Sequence, residues 1–425
     1  MKIQIKSVQI LDPASPYHKK RKNILIKDGI IASIGDTQFR ADITIDAKRM
    51  LVSIGWFDMR ASFCDPGIEY KEDANTGTKA AAAGGFTEVM LLPNTIPTVH
   101  SKNGVSYLLS KNVNNLTQIH PSAAVTIDTK GEELTEMIDL QNSGAVAFTD
   151  GENPIWQTDI LLKALQYLQK FNGLLIQKPE DKRLNLFGTM NEGINSTSLG
   201  MKGMPKLSEE IIIARDLEIL EYAGGKLHFS NISSAKSVNQ IRKAKKRGIQ
   251  VTCDIAAYQP IFDDCIIKDY DTNYKVNPPF REQNDNIALL KGLNDGTIDV
   301  IVSGHSPQDE ESKKLEFDLA EFGIIGIQTA FSNIIEFSQH INLETLIEKI
   351  TSKPRQILGM DIPQIKEGSM ANLTVFDPKV SWTFSESNNQ SKSSNSPFLN
   401  QNLKGKAMAV FNNRKHLIDP DLVEK

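Results

Sequence analysis

The sequence predicts a (β/α)8 barrel carrying a small β-sandwich domain built from both chain ends. Three observations lead there. Eight short apolar runs alternate with helical patterns through the middle of the chain. The helical patterns are closed by glycine, the usual helix stop. Both termini read instead as short strands joined by tight turns.

At the N-terminal end, Lys22–Ile34 is two apolar runs around Asp28-Gly29, a hairpin signal. Ile43–Ile45 reads as a further strand. The eight runs follow: Ile54–Asp58, Phe86–Leu92, Ser122–Ile127, Ala145–Thr149, Gly173–Gln177, Lys226–Ser230, Ile249–Cys253 and Asp299–Ser303. Near-continuous apolar runs suit parallel strands buried on both faces. Helices are expected at Asp73–Ala83, Thr158–Lys170, Ser208–Tyr222 and Ala235–Arg247. The texture of the start returns at Asn372–Phe376 and Ala407–Phe411. Between those two lies Ser385–Ser396, rich in Ser and Asn and without apolar period, which reads as a mobile loop. The division is residues 1–55 with 365–425 for the β domain and 56–364 for the barrel.

Composition agrees. The chain has 425 residues, 40% hydrophobic and 24% charged, with a net charge of −4. These values exclude a disordered, collagen-like or disulfide-framed chain. No apolar run approaches the ~20 residues of a membrane span. The acidic balance gives no reason to expect a nucleic-acid or membrane partner. Three cysteines, without metal spacing or a secretory leader, point to a reducing cytoplasm. The run Arg242–Arg247 reads as the solvated face of a helix.

In such a barrel a site forms where the strands end. Those ends are polar here: Asp58 to Ser62, Pro93-Asn94-Thr95, Asp150-Gly151, Lys178 to Asp181, Asn231, Asp254, and Gly304-His305-Ser306-Pro307. Seven histidines are present, no two within five residues of each other. There is no H-x-H pair.

Several of these segments together resemble the dihydroorotase signature of the amidohydrolase superfamily. They are Val52–Gly85, Leu92 to Thr95, Asn273–Arg281 (NYKVNPPFR), Ile298–Pro307 (IDVIVSGHSP) and Phe322–Thr329. The resemblance implies a metal-dependent barrel flanked by a β domain. It also implies hydrolysis and closure of the dihydroorotate ring in pyrimidine synthesis, with zinc activating water. Position by position, the family's H-x-H falls at Arg60 and Ser62, and its strand-five histidine at Lys178. Its strand-six histidine falls at Asn231, its strand-eight aspartate at Gly304, and its substrate-gripping arginine at Cys64. The strand-four carboxylate remains as Asp150.

A catalytic zinc normally takes three protein ligands and water. Arginine cannot lose its proton to become one. The expectation is therefore a chain without zinc, without catalytic residues, and with a structural or assembly role. The resemblance suggests a homo-oligomer and aspartate transcarbamoylase as a partner. The alternative is residual or altered cyclic amide hydrolysis in the retained pocket.

Asn94, Asn277 and His305 match substrate-binding positions of the family. Turn chemistry equally explains the two asparagines, and loop packing the histidine. Cys64 has no histidine near it in sequence, so a packed thiol is expected over a nucleophile. Arg60 and Lys178 are expected to turn into the barrel mouth and pair with Asp150, since a buried charge left alone is costly.

Overall fold

The structure is a computed structural model describing residues 1–423. Its centre is a run of eight parallel strands: β1 (Trp56–Ala61), β2 (Phe86–Leu91), β3 (Gln118–Ala123), β4 (Ala147–Thr149), β5 (Leu175–Gln177), β6 (Leu227–Phe229), β7 (Val251–Ala256) and β8 (Val300–Val302). Each expected run contributes a strand. The third starts four residues earlier than expected, because His120 and Gln118 are tolerated inside it. His120 gives its ring nitrogen to Glu88 at 2.9 Å, which satisfies it within the sheet.

The barrel is nearly closed. Asp58 on β1 accepts the Ser303 amide at 3.0 Å, and the Ser62 amide donates to the His305 carbonyl at 2.9 Å. Alternation along β1 sorts its side chains between two cores. Phe57 and Met59 pack with Met90, Ile176, Val300 and Val302. Trp56, on the other face, joins the larger cluster shared with the surrounding helices, and a register irregularity between Asp58 and Ala61 turns Ala61 to that same cluster.

Helices form at Ala74–Ala83, Thr158–Gln169, Lys206–Ala223 and Ala235–Lys246, as the glycine stops indicate. The first is capped by Asp73, whose carboxylate accepts the amides of Asn75 and Thr76 at 2.9 Å.

Strands from both ends build the second sheet. Eight of them join in one mostly antiparallel hydrogen-bonded network, in which Leu51–Ile54 pairs with Leu373–Thr383. A buried ionic cluster fastens this sheet to the barrel. Glu88 on β2 accepts from Arg355 at 2.7 Å and from Asn372 at 2.8 Å. Arg355 also donates to the Gly55 carbonyl at 2.9 Å. Burial opposes the charge on Glu88, but His120 and Arg355 outweigh it and hold its pKa down to about 2.

The segment 385–396 departs from expectation. It is a strap pinned across the loops of the barrel mouth. Asn395 donates to the carbonyls of Ser306 and Gly323, and accepts the Gln308 amide at 3.0 Å. Ser391 donates its hydroxyl to Glu72, and Ser393 donates to the Lys71 carbonyl at 2.6 Å. A polar sequence with no apolar period is held here by hydrogen bonds, which periodicity does not register.

Among the described residues, no helix is long and apolar enough to cross a membrane.

Candidate functional site

The strand ends enclose a cavity of about 260 Å³. Its walls come from β1 (Arg60) and from the loops after β4 (Glu152), β5 (Lys178), β6 (Asn231), β7 (Tyr258) and β8 (Gly304, His305).

The cavity is dominated by an ionic chain. Arg60 and Lys178 are both buried. Arg60 donates to Glu152 at 2.7 Å and to the Ser230 hydroxyl at 3.3 Å. Lys178 meets the other Glu152 oxygen at 3.3 Å and Glu180 at 3.1 Å. Burial opposes the charge on Glu152, but Arg60 and Lys178 outweigh it and hold the carboxyl below its ordinary pKa. Burial likewise opposes the Lys178 ammonium, and Glu180 with Glu152 outweighs it, so Lys178 is held charged.

The two cations thus turn into the mouth as expected, but their partner is Glu152 and not Asp150. Asp150 is spent elsewhere: it accepts the Thr126 amide at 2.9 Å and the Thr126 hydroxyl at 2.5 Å. Burial pushes its pKa up to about 6. The reason for the exchange is the turn at Gly151, which has φ +63°. A Cβ there would sit 1.8 Å from Asn94 Oδ1, so only glycine allows the approach. Asn94 then clamps the turn, donating to the Asp150 carbonyl at 3.0 Å and accepting the Glu152 amide at 2.9 Å.

Asn94 is therefore occupied by turn chemistry. Asn277 and His305 line the cavity. Asn277 donates to Glu180 at 3.1 Å. His305 is buried edge-on against Phe63, 3.6 Å from Glu72, and neither ring nitrogen has a hydrogen-bond partner. Asn231 leaves its side-chain oxygen buried and unpartnered. Ser62 and Cys64 lie beside each other at 3.6 Å. Burial pushes the Cys64 thiol up to about 11, which is the wrong direction for a nucleophile. His228, outside the ligand position, is satisfied in the core by Asp254 at 2.9 Å and Thr252 at 2.8 Å.

Sequence reasoning missed Glu152, Glu180, Tyr258 and Glu72. The first two had a signal, as acidic residues two positions beyond Asp150 and Lys178. Tyr258 had none, because its contact with Gly304 exists only in three dimensions. A Cβ on Gly304 would lie 2.8 Å from the Tyr258 ring.

Comparison with known proteins gives concordant results. A family description, dihydro-orotase-like, matches residues 49–237. The dihydroorotase of Geotalea daltonii is 39% identical over 412 residues, 96% of this chain and 97% of that protein. The chain belongs to the dihydroorotase family. The dihydroorotase of Pelotomaculum thermopropionicum is 38% identical over 416 residues, 97% of each chain. The fold also matches the L-hydantoinase of Arthrobacter aurescens, with a TM-score of 0.84 and 20% identity over 100% of this chain and 97% of that one.

This kinship corrects one expectation. Dihydroorotases are zinc-dependent as a family, and nothing in the structure is a positive sign of a metal-free protein, so the reading of a chain without zinc does not stand. What the structure does establish is narrower. Arg60 and Lys178 are held as cations, Gly304 offers no side chain, and Ser62 and Asn231 are weak donors for zinc. These side chains do not fit a zinc held in the manner of the dihydroorotase family. Among the described residues, the group close enough to hold a metal is Asp263, Asp264 and Cys265, none of which lines the cavity.

Proposed function

We propose that this member of the dihydroorotase family does not turn over dihydroorotate and serves the pyrimidine pathway as an assembly component. The observation that carries this reading is Glu152 seated between Arg60 and Lys178. Substrate hydrolysis in the barrel mouth needs an activated water and a carboxylate free to move a proton. Here the one carboxylate retained at a family position, Asp150, is bonded to Thr126, and Glu152 is held ionised between two cations. Neither is free for that role.

The partner in this reading is aspartate transcarbamoylase, and the chain itself is a homo-oligomer. Cytoplasmic residence accords with three free cysteines. The test has two arms. Purified protein supplied with zinc is assayed for dihydroorotate hydrolysis and for the reverse closure; turnover above the blank overturns the inactive reading. Tagged protein is recovered from its native cells; absence of transcarbamoylase overturns the assembly reading.

A second reading has one observation in its favour. His305 Nδ1 and Asn231 Oδ1 are buried polar atoms without a hydrogen-bond partner on residues that line the cavity, and such atoms are usually satisfied. A small amide would satisfy them. A rise in melting temperature with cyclic amides would support residual chemistry in this pocket, since a bound ligand stabilises by mass action.

A further inference from the structure

We infer that the rim of the barrel mouth is a docking surface for a partner segment that carries an apolar side chain among carboxylates. A groove of about 700 Å³ opens beside the mouth cavity and shares Glu152, Lys178, Asn277 and Phe322 with it. Its outer wall is the excursion after β5. Leu186 is 55% exposed there, Phe187 76%, and Leu319 on the facing lip 64%. Phe187 is also held at φ +61°, a left-handed conformation that a bulky residue rarely adopts. Exposed apolar side chains gathered on one rim mark an interaction site more often than a solvated surface.

Charge selects the occupant. Glu152 and Glu180 in the groove are already matched by Arg60 and Lys178. That leaves the exposed Lys182 and Lys202, and a buried Lys275, against the single carboxylate of Asp318. Lys182 donates to the Asn153 side-chain oxygen, Lys202 lies 5.1 Å over the Phe187 ring, and Lys275 donates to the Asp318 carbonyl. None of these contacts is a carboxylate, so the groove carries surplus positive charge beside its apolar lip. An acidic segment with an apolar anchor complements both features. A second copy of this chain does not, because a self-paired face would set the same lysines against each other. A segment seated there also covers the entrance to the cavity.

This inference rests on the assembly reading only in supposing a protein partner, and its test is independent of transcarbamoylase. The probe is a fluorescent eight-residue peptide with two leucines flanked by glutamates, titrated against the full chain. A second peptide has lysines in place of the glutamates. Saturable binding of the acidic peptide is expected, weakened at least tenfold by Phe187→Ser with Leu319→Ser and by Lys182→Glu with Lys202→Glu. Lys182 and Lys202 are exposed, as are Phe187 and Leu319, and an unchanged melting temperature confirms that the variants fold. Absence of saturable binding overturns the proposal, as does equal binding of the basic peptide. Sedimentation showing a dimer that Phe187→Ser dissolves overturns it in favour of self-association. Recovery of transcarbamoylase from cells bears on the assembly reading alone.

Discussion

Arg60 and Glu152, ninety-two positions apart in sequence, meet at 2.7 Å across the barrel mouth. Lys178 approaches the same carboxylate from the next strand at 3.3 Å. Glu152 therefore pairs with both buried cations, and Glu180 at 3.1 Å gives Lys178 a second carboxylate, at positions where the dihydroorotase family is expected to carry histidines.

Glu152→Gln should destabilise the protein by about 1–2 kcal/mol: Arg60 and Lys178 are buried, but the Glu152 side chain is 43% exposed, which screens both pairs, and Lys178 keeps Glu180. Arg60→Met combined with Glu152→Gln should recover part of that loss. Denaturant titration of the two variants checks this, and equal stability of wild type and Glu152→Gln contradicts it.

Asp150 carries a pH signature. Its folded pKa is raised from 3.8 to about 6, so its ionised form opposes folding. Below pH ~4 the carboxyl is protonated in both states and costs nothing; above pH ~6 the cost is complete. At about 1.4 kcal/mol per tenfold change, that amounts to about 3 kcal/mol. Asp150→Asn should remove this component, so the variant gains stability relative to wild type as pH rises from 4 to 7. Melting temperatures across that interval decide it.

Glu88 acts with the opposite sign. Its folded pKa is held down to about 2 by its partners against the cost of burial. The stability it contributes is present above the ordinary glutamate value and is lost as pH falls through 4 toward 2. Glu88→Gln should lower stability at neutral pH and flatten the acid limb of the unfolding curve. Since Glu88 ties Arg355 and Asn372, the same variant should loosen the second sheet from the barrel, seen as faster amide exchange in Leu373–Thr383.

Gly304→Asp should not rebuild a family-like carboxylate. Its Cβ would enter 2.8 Å from Tyr258 at a backbone φ of +61°. A loss of more than about 2 kcal/mol is expected from overpacking and strain together. Adding Tyr258→Ala should relieve only part of the crowding, because the Ala256 Cβ remains at 2.9 Å, and none of the backbone strain, so the double variant lies between Gly304→Asp and a simple sum of both losses.

The strap supplies a last expectation. Glu72 accepts the Ser391 hydroxyl and the Lys392 amide. Glu72→Ala should lower hydrogen-exchange protection in residues 388–395 while leaving the barrel strands protected. Unchanged protection there would mean that Asn395 and Ser393 suffice to hold the strap.

The sequence by itself determined the architecture. Strand runs, glycine stops and hairpin turns are local signals, and the eight runs with their four glycine-closed helices lie where those signals fall. It also determined the family, because the motifs around Asp58, Asn94, Asn277 and His305 are contiguous stretches of chain. What lies at the mouth was decided only by the tertiary structure. Which acid meets Arg60 depends on how Gly151 turns under Asn94, and that turn joins residues from different strands. The clash waiting at Gly304 depends on Tyr258, and the order of the strap depends on Glu72 and Ser306. Each is a contact between distant segments at hydrogen-bond or van der Waals range. A shift of one residue or of an ångström changes the partner, and no periodicity along the chain encodes that distance.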